Sequence, residues 1–339
     1  MERIVPPSAR TPSSHVEDEC IVHAVGDILL GSDWPTPVLP PRNPLRHMAP
    51  VLRTADLAIG NLEGVLADGG TVRPDKADPK RSFAFRMPKR LGPWLADAGI
   101  DALCVANNHA GDFGPQGRRA TVEALRALRI APVGSSDGQP ATLQVRGSTI
   151  ELVGFATNGV NPSLLDIPAA VARVRAARAK VGRGIVLVTF HGGAEGLAAR
   201  RLPARGTETY RGERRGDLRT FARAMVDAGA SLVFGHGPHV LRAIEFHRGV
   251  PIAYSMGNFA TWGRMALRGA LGVTAVLEVR LGPDGRFRSG RIIPCIQKGN
   301  GEPVPDPSGQ AIKAIAALGH ADFPRTGASV RPDGRFAPR

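Results

Sequence analysis

Six short stretches of this 339-residue chain end in side chains that could hold a metal ion or move a proton. They are Gly26-Asp27, Asn61-Leu62-Glu63, Asn107-Asn108-His109, His191-Gly192-Gly193-Ala194-Glu195, His236-Gly237-Pro238-His239 and Ser255-Met256-Gly257-Asn258. Carboxylates, amide oxygens and imidazoles together form a mixed oxygen/nitrogen donor set, suited to zinc, manganese or iron. With this many donors, one or two divalent ions could be held. A glycine adjoins several of the donors, and glycine lets the backbone turn sharply and a ligand approach closely. Each residue alone has a plainer reading. A strand-end Asp or Asn is usually a turn residue or helix cap, and a lone His is usually a satisfied structural side chain. His23 shares the strand face of Asp27 at period two and reads as core. His15, His47, His247 and His320 fall in loop or helix contexts and receive no role. Glu195 reads equally as a partner that orients an imidazole or as a loop carboxylate. Coincidence at six strand ends is improbable, so the set as a whole reads as a site.

The strands that end in these residues must then share an edge. β-rich runs occur at 21–25, 57–60, 102–106, 131–134, 150–156, 184–190, 231–235, 251–255, 272–279 and 286–293. Helical periodicity falls at 45–54, 88–98, 115–128, 168–181 and 214–228, with Pro168 suited to a first turn. The alternation predicts an α/β fold with a largely parallel or mixed sheet. Ligands bind such sheets beyond the carboxyl ends of the strands. The later strands crowd together without long helices and predict a second, more antiparallel sheet. Residues 1–19 read as a flexible polar arm and 20–300 as a single domain. Residues 301–339 read as a mostly irregular tail, interrupted by the helical stretch AIKAIAAL.

Composition narrows the function classes. A hydrophobic content of 42% supports a real core and excludes wholesale disorder. No run approaches about 18 apolar residues, so no transmembrane helix is expected. The first residues lack signal-peptide design, and a cytoplasmic protein is expected. Three scattered cysteines, Cys20, Cys104 and Cys295, argue against a disulfide framework and a thiolate zinc site. The formal charge is +14, and only six of the 44 basic residues are Lys. That balance suits an anionic small molecule or a polyacid. With 5% aromatics and no recognition motif, nucleic acid is not the expected partner.

The motifs VGDILLG, ADLAIGNLEGVL, LCVANNHAGDFG, VTFHGGAEG, VFGHGPHVL and AYSMGNF carry a family resemblance over roughly residues 20–300. In this order they resemble the CapA-type capsule-synthesis (poly-γ-glutamate biosynthesis) proteins, a branch of the calcineurin-like metallophosphatase superfamily. The resemblance implies a four-layer α/β/β/α sandwich with a metal centre between the loops of two sheets. By motif matching it points to Asp27, Glu63, Asn108, His109, His191, His236 and His239, with Asn61 and Asn258 as supporting members. It implies a metal-dependent hydrolase of a phosphoester or related anion, working through a metal-activated water, with Asp27 at the metal and His109 as proton donor. The other implied role is an accessory protein of poly-γ-glutamate or capsule synthesis. Two departures from the pattern stand out. Asp27-Ile28-Leu29 lacks the superfamily's Asp-x-His, and Gly237 stands where the family's His-Pro-His places its first histidine.

Overall fold

The computed structural model describes residues 19–80 and 82–339, so nearly all of the expected arm lies outside the described residues. The chain runs β1 (Cys20–Leu29), α1 (Ala49–Leu52), β2 (Leu57–Leu62), β3 (Val65–Leu66), β4 (Arg86–Met87) and α2 (Pro93–Asp97). Next come β5 (Ala102–Cys104), α3 (Gly114–Ala127), β6 (Ala131–Val133), β7 (Ala141–Val145), β8 (Ser148–Ala156), α4 (Ile167–Val181) and β9 (Ile185–His191). A hairpin of β10 (Glu208–Tyr210) and β11 (Glu213–Gly216) precedes α5 (Leu218–Asp227), β12 (Leu232–His236), β13 (Ile244–His247), β14 (Val250–Ala253) and β15 (Asn258–Thr261). The chain closes with β16 (Val273–Leu281), β17 (Phe287–Lys298), β18 (Glu302–Pro305), α6 (Gln310–Asp322), β19 (Ser329–Val330) and β20 (Arg335–Ala337).

Two sheets carry the fold. The first follows the order β19-β20-β17-β16-β1-β2-β5-β6, with β15 added to β1 and β18 to β17. The second follows β13-β14-β12-β9-β8-β7. Val22, Ala24, Leu57 and Ile59 of the first sheet share one core with Leu152, Leu187, Leu232 and Phe234 of the second. The alternate side chains point outward, as the two-residue period of a strand requires. Val25, Ala58 and Leu103 pack on Leu52, Leu95 and Leu125 of α1, α2 and α3. Val153, Val186 and Val233 pack on Val174 of α4 and Phe221 and Met225 of α5. The result is the expected four-layer order, helix on sheet on sheet on helix. Strands buried on both faces explain the unbroken apolar run of GIVLVTF.

Several elements differ from the sequence expectation. The antiparallel pair β16 and β17 belongs to the first sheet, while β14, β12, β9 and β8 of the second run parallel. The helix expected over 214–228 begins at Leu218, where the Asp217 side chain accepts from Thr220 N, and the residues before it form β11. The expected helix over 88–98 divides at Gly92 into a 3-10 turn and α2. The segment after 300, expected as mostly irregular, holds β18, α6, β19 and β20. Its prolines misled: Pro303 and Pro305 sit on β18, which pairs only with β17 among the described residues, the edge position a strand proline tolerates. Ala311, Ile315, Ala328 and Phe336 join the core between the sheets. No helix among the described residues is long and apolar enough to cross a membrane. The cysteines are buried and form no disulfide, and burial pushes the Cys104 and Cys295 thiols up to about 12.

Candidate metal centre

The carboxyl ends of both sheets meet at one point. Asp27 lies on β1 in register with Asn61 on β2 and Asn258 on β15. Gly26 makes the β1–β15 approach possible, because a Cβ there would come within 2.0 Å of Gly257 O. From the second sheet, His191 and His236 end adjacent parallel strands in mutual register. Glu63 follows β2 directly, its N–H bonded to Ile28 O at 2.9 Å.

These side chains close on a buried acid pair. One oxygen each of Asp27 and Glu63 and a ring nitrogen of His191 lie within 4.8 Å of one another. Asn61 Nδ2 donates to Asp27 Oδ1 at 2.9 Å and also to Glu63 Oε2, which holds the two carboxylates together. Asp27 Oδ1 lies 3.2 Å from His236 Nδ1, and its Oδ2 lies 2.9 Å from His239 Nδ1. Glu63 Oε2 lies 3.3 Å from His191 Nε2, and its Oε1 lies 3.9 Å from His109 Nε2.

Burial pushes the Asp27 carboxyl up, but the close approach and charge of His236 and His239 outweigh it and hold the acid well below its usual range. Burial likewise raises Glu63, and His191 and His109 bring it down to about 2. Burial lowers His239, and its bond to Asp27 with the surrounding carboxylates carries it up to about 9. Both acids are therefore anionic near neutral pH despite full burial.

The donor set fits a divalent cation. Both ring nitrogens of His191 and of His236, with Glu63 Oε1, Asn108 Oδ1 and Asn258 Oδ1, are buried without a hydrogen-bond partner. The His191–Glu63 and His236–Asp27 approaches are ion-pair distances whose alignment makes no hydrogen bond. An orphaned buried polar atom costs about 1–3 kcal/mol. The unpartnered His191 Nε2 and His236 Nδ1 lie 3.3 and 3.2 Å from the two buried anions, an arrangement that a cation would satisfy.

The turn 236–239 explains the Gly237 departure. Gly237 has φ +113°, and a Cβ on it would lie 2.5 Å from Gly192 O. No histidine fits there, and His236 approaches Asp27 instead. His239 itself has φ +58°, the left-handed region that non-glycine residues enter at a cost.

His109 and Glu195 flank the centre. His109 Nδ1 lies 2.8 Å from Asp112 Oδ2, and Lys76 Nζ reaches Asp112 Oδ1, with Asn108 O at 3.2 Å. The ring of His109 packs 4.4 Å from that of Phe85, centroid to centroid. Glu195 accepts from Arg215 at 2.8 Å, and its other oxygen lies 3.8 Å from His239 Nε2. Asn258 reaches Leu271 O at 3.4 Å. His23 pairs with Glu278 at 3.3 Å between β1 and β16, as a structural residue would. A cavity of about 610 Å³ opens beside the centre, lined by Lys76, Asn108, His109, Glu195, Tyr210 and Arg215 among others.

Sequence reasoning missed four residues that shape this region. Asn107 donates to Asn61 Oδ1 at 3.0 Å and Leu62 O at 2.8 Å, and its Oδ1 receives His109 N. The Asn107-Asn108 pair is the sequence signal for this position. Asp112, three residues after His109, was legible from that spacing. Lys76 and Arg215 lie on a single 3-10 turn and a short hairpin with no periodic signal to mark them.

The family model described as "Bacterial capsule synthesis protein PGA_cap" matches residues 21–261. The chain belongs to this family. It is 29% identical over 269 residues to the PGA biosynthesis protein CapA of Bacillus subtilis (strain 168), covering 74% of this chain and 66% of that protein. It is 26% identical over 276 residues to the capsule biosynthesis protein CapA of Bacillus anthracis, covering 74% of this chain and 62% of that one. The match to each of these PGA_cap relatives thus spans just under two thirds of the relative's length. The solved NAD nucleotidase (NadN) of Haemophilus influenzae aligns over 88% of this chain and 55% of its own, at 12% identity and a TM-score of 0.45.

Proposed function

We propose that this protein is a metal-dependent hydrolase of a phosphoester or a related anionic substrate. The observation that supports it most is the set of partnerless buried donors around the Asp27–Glu63 pair, beside an open cavity. In this reading Asp27, Glu63, Asn108, His191, His236 and His239 hold one or two divalent ions, manganese, zinc or iron by donor type. Bound there, such an ion supplies Lewis acidity, making water nucleophilic near neutral pH and offsetting substrate charge. Asn61 keeps the two acids at a fixed spacing, and Asn258 sits in register with Asp27 with its amide oxygen buried and unpartnered. His109 donates a proton to the leaving group from Nε2, while Asp112 at Nδ1 holds the ring. Lys76 fixes Asp112 in turn. The exposed Arg211 and Arg214 on the cavity wall draw in the anion. A cytoplasmic setting completes the reading, and the three buried thiols suit it.

A second reading is favoured by family membership together with that cationic wall. The protein would then bind a polyacid such as poly-γ-glutamate as an accessory to capsule or polymer synthesis, without phosphatase activity. One experiment separates the two. Metal-loaded protein and Asp27→Ala are assayed on phosphomonoesters and phosphodiesters, and for poly-γ-glutamate binding. Turnover lost in Asp27→Ala supports the hydrolase. Polyacid binding with no turnover across the panel overturns it in favour of the second reading.

A further inference from the structure

Arg215 and Glu195 stand outside the ligand set, yet both are held tightly. Arg215 is 1% exposed, a charged side chain taken almost wholly from water at the end of β11. Such burial is costly unless the charge is paired and its donors are used. Its Nε donates to Gly193 O at 3.1 Å and its Nη2 to Glu195 Oε1 at 2.8 Å. The remaining acidic contact, Glu213 at 3.4 Å, is to a side chain that is 69% exposed and so contributes little. Glu195 is thus the anion that makes the buried guanidinium tolerable, and Arg215 in return fixes the Glu195 carboxylate.

That carboxylate faces a residue of the centre. Its Oε2 lies 3.8 Å from His239 Nε2, beyond hydrogen-bond distance but within electrostatic reach of the ring. The other nitrogen of the ring, Nδ1, lies 2.9 Å from Asp27 Oδ2. The two nitrogens of His239 therefore face different groups, one toward the buried acid pair and one toward Glu195. The loop that carries Glu195 is also tied down independently. Arg242, three residues after His239, pairs with Glu208 through Nη1 and Nη2 at 2.9 and 2.6 Å, and Glu208 Oε2 accepts from Ala194 N at 3.0 Å. The loop and the histidine turn are thus held in one frame.

We propose that Arg215 and Glu195 are positioning residues for the metal centre. Arg215 fixes Glu195, and the Glu195 carboxylate standing off Nε2 sets the His239 ring with Nδ1 turned toward Asp27. The inference rests on the reading that the centre binds a divalent ion. Carboxylate partners of ligating histidines typically change metal affinity by about 10–100-fold.

The test is the affinity of the full chain for Zn²⁺ and Mn²⁺, read by competition with a chromophoric chelator, with circular dichroism and melting recorded for every variant. Glu195→Gln is expected to weaken binding about 10–100-fold while remaining folded. Arg215→Met is expected to weaken it similarly, and the double variant no more than the worse single. Against a His239→Ala background, Glu195→Gln is expected to cause no further loss. Two results overturn the proposal: unchanged affinity in folded Glu195→Gln, or a loss that multiplies with that of His239→Ala. If Arg215→Met fails to fold, the Glu195→Gln series decides alone. Failure of the metal reading looks different, since the unsubstituted protein would then bind neither ion, and the proposal would fall with it.

Discussion

Gly237→Ala probes how the backbone builds the centre. The position has φ +113°, and the added Cβ would sit 2.5 Å from Gly192 O and 3.0 Å from Gly192 N. A side chain held in left-handed backbone costs roughly 1–2 kcal/mol. Forcing backbone apart in a packed region costs roughly 1–3 kcal/mol more. The sum is roughly 2–5 kcal/mol. At about 2.1 cal/mol/K of unfolding entropy per residue, the 339-residue chain should melt about 3–7 °C lower. Gly249→Ala is the control, because Gly249 has φ +80° and open space around its Cβ. It should carry only the conformational cost, roughly 1–2 kcal/mol. Calorimetry measures both melts, and chelator competition follows cation binding. Gly237→Ala should also weaken binding, since His236 and His239 flank the displaced peptide. A melt no lower than that of Gly249→Ala, with unaltered binding, would refute the claim that this turn has no room for a side chain and aims both histidines.

Three further outcomes are expected. His109→Ala should lower turnover by about 10²–10⁴-fold with metal content unchanged by elemental analysis; loss of metal would instead make His109 a ligand. Chelator treatment should lower the melting temperature, since a cation at a hundred times its Kd adds about 2.7 kcal/mol, or about 4 °C for a chain of this size. Tyr254 offers a pH signature away from the centre. Burial and the Glu245 carboxylate push its phenol well above 10, so the folded protein keeps a proton that the unfolded chain releases. That contribution is complete below pH 10 and fades as pH rises beyond it. Urea titrations across pH 9–11 should show a shallower alkaline decline for Tyr254→Phe, and identical slopes would contradict the assignment.

Much of the molecule was legible because strands buried on both faces write long apolar runs, and because active polar residues sit where those runs stop. Asp27, Glu63, His191 and His236 were found that way, and the structure brings them together. Partner choice was not legible. The pair β16 and β17 looked like a separate sheet, but pairing of β16 with β1 is a long-range event without a local signal. The tail read as irregular because its prolines suggest loops, whereas tertiary packing of Ile315 and Phe336 supplies its order. Residues that act through others were the hardest to see. Asn107, Asp112, Lys76 and Arg215 owe their places to contacts made across the fold, and only Asp112 lies at a helical offset from its partner.

The most direct test of the account is cation stoichiometry, measured by elemental analysis and calorimetric titration of purified protein and of His191→Ala. The account predicts one or two equivalents of manganese, zinc or iron in the unsubstituted protein, and reduced or absent binding in a folded His191→Ala. A folded protein that takes up none of these ions, or a His191→Ala variant that binds them as tightly as the original, would contradict it.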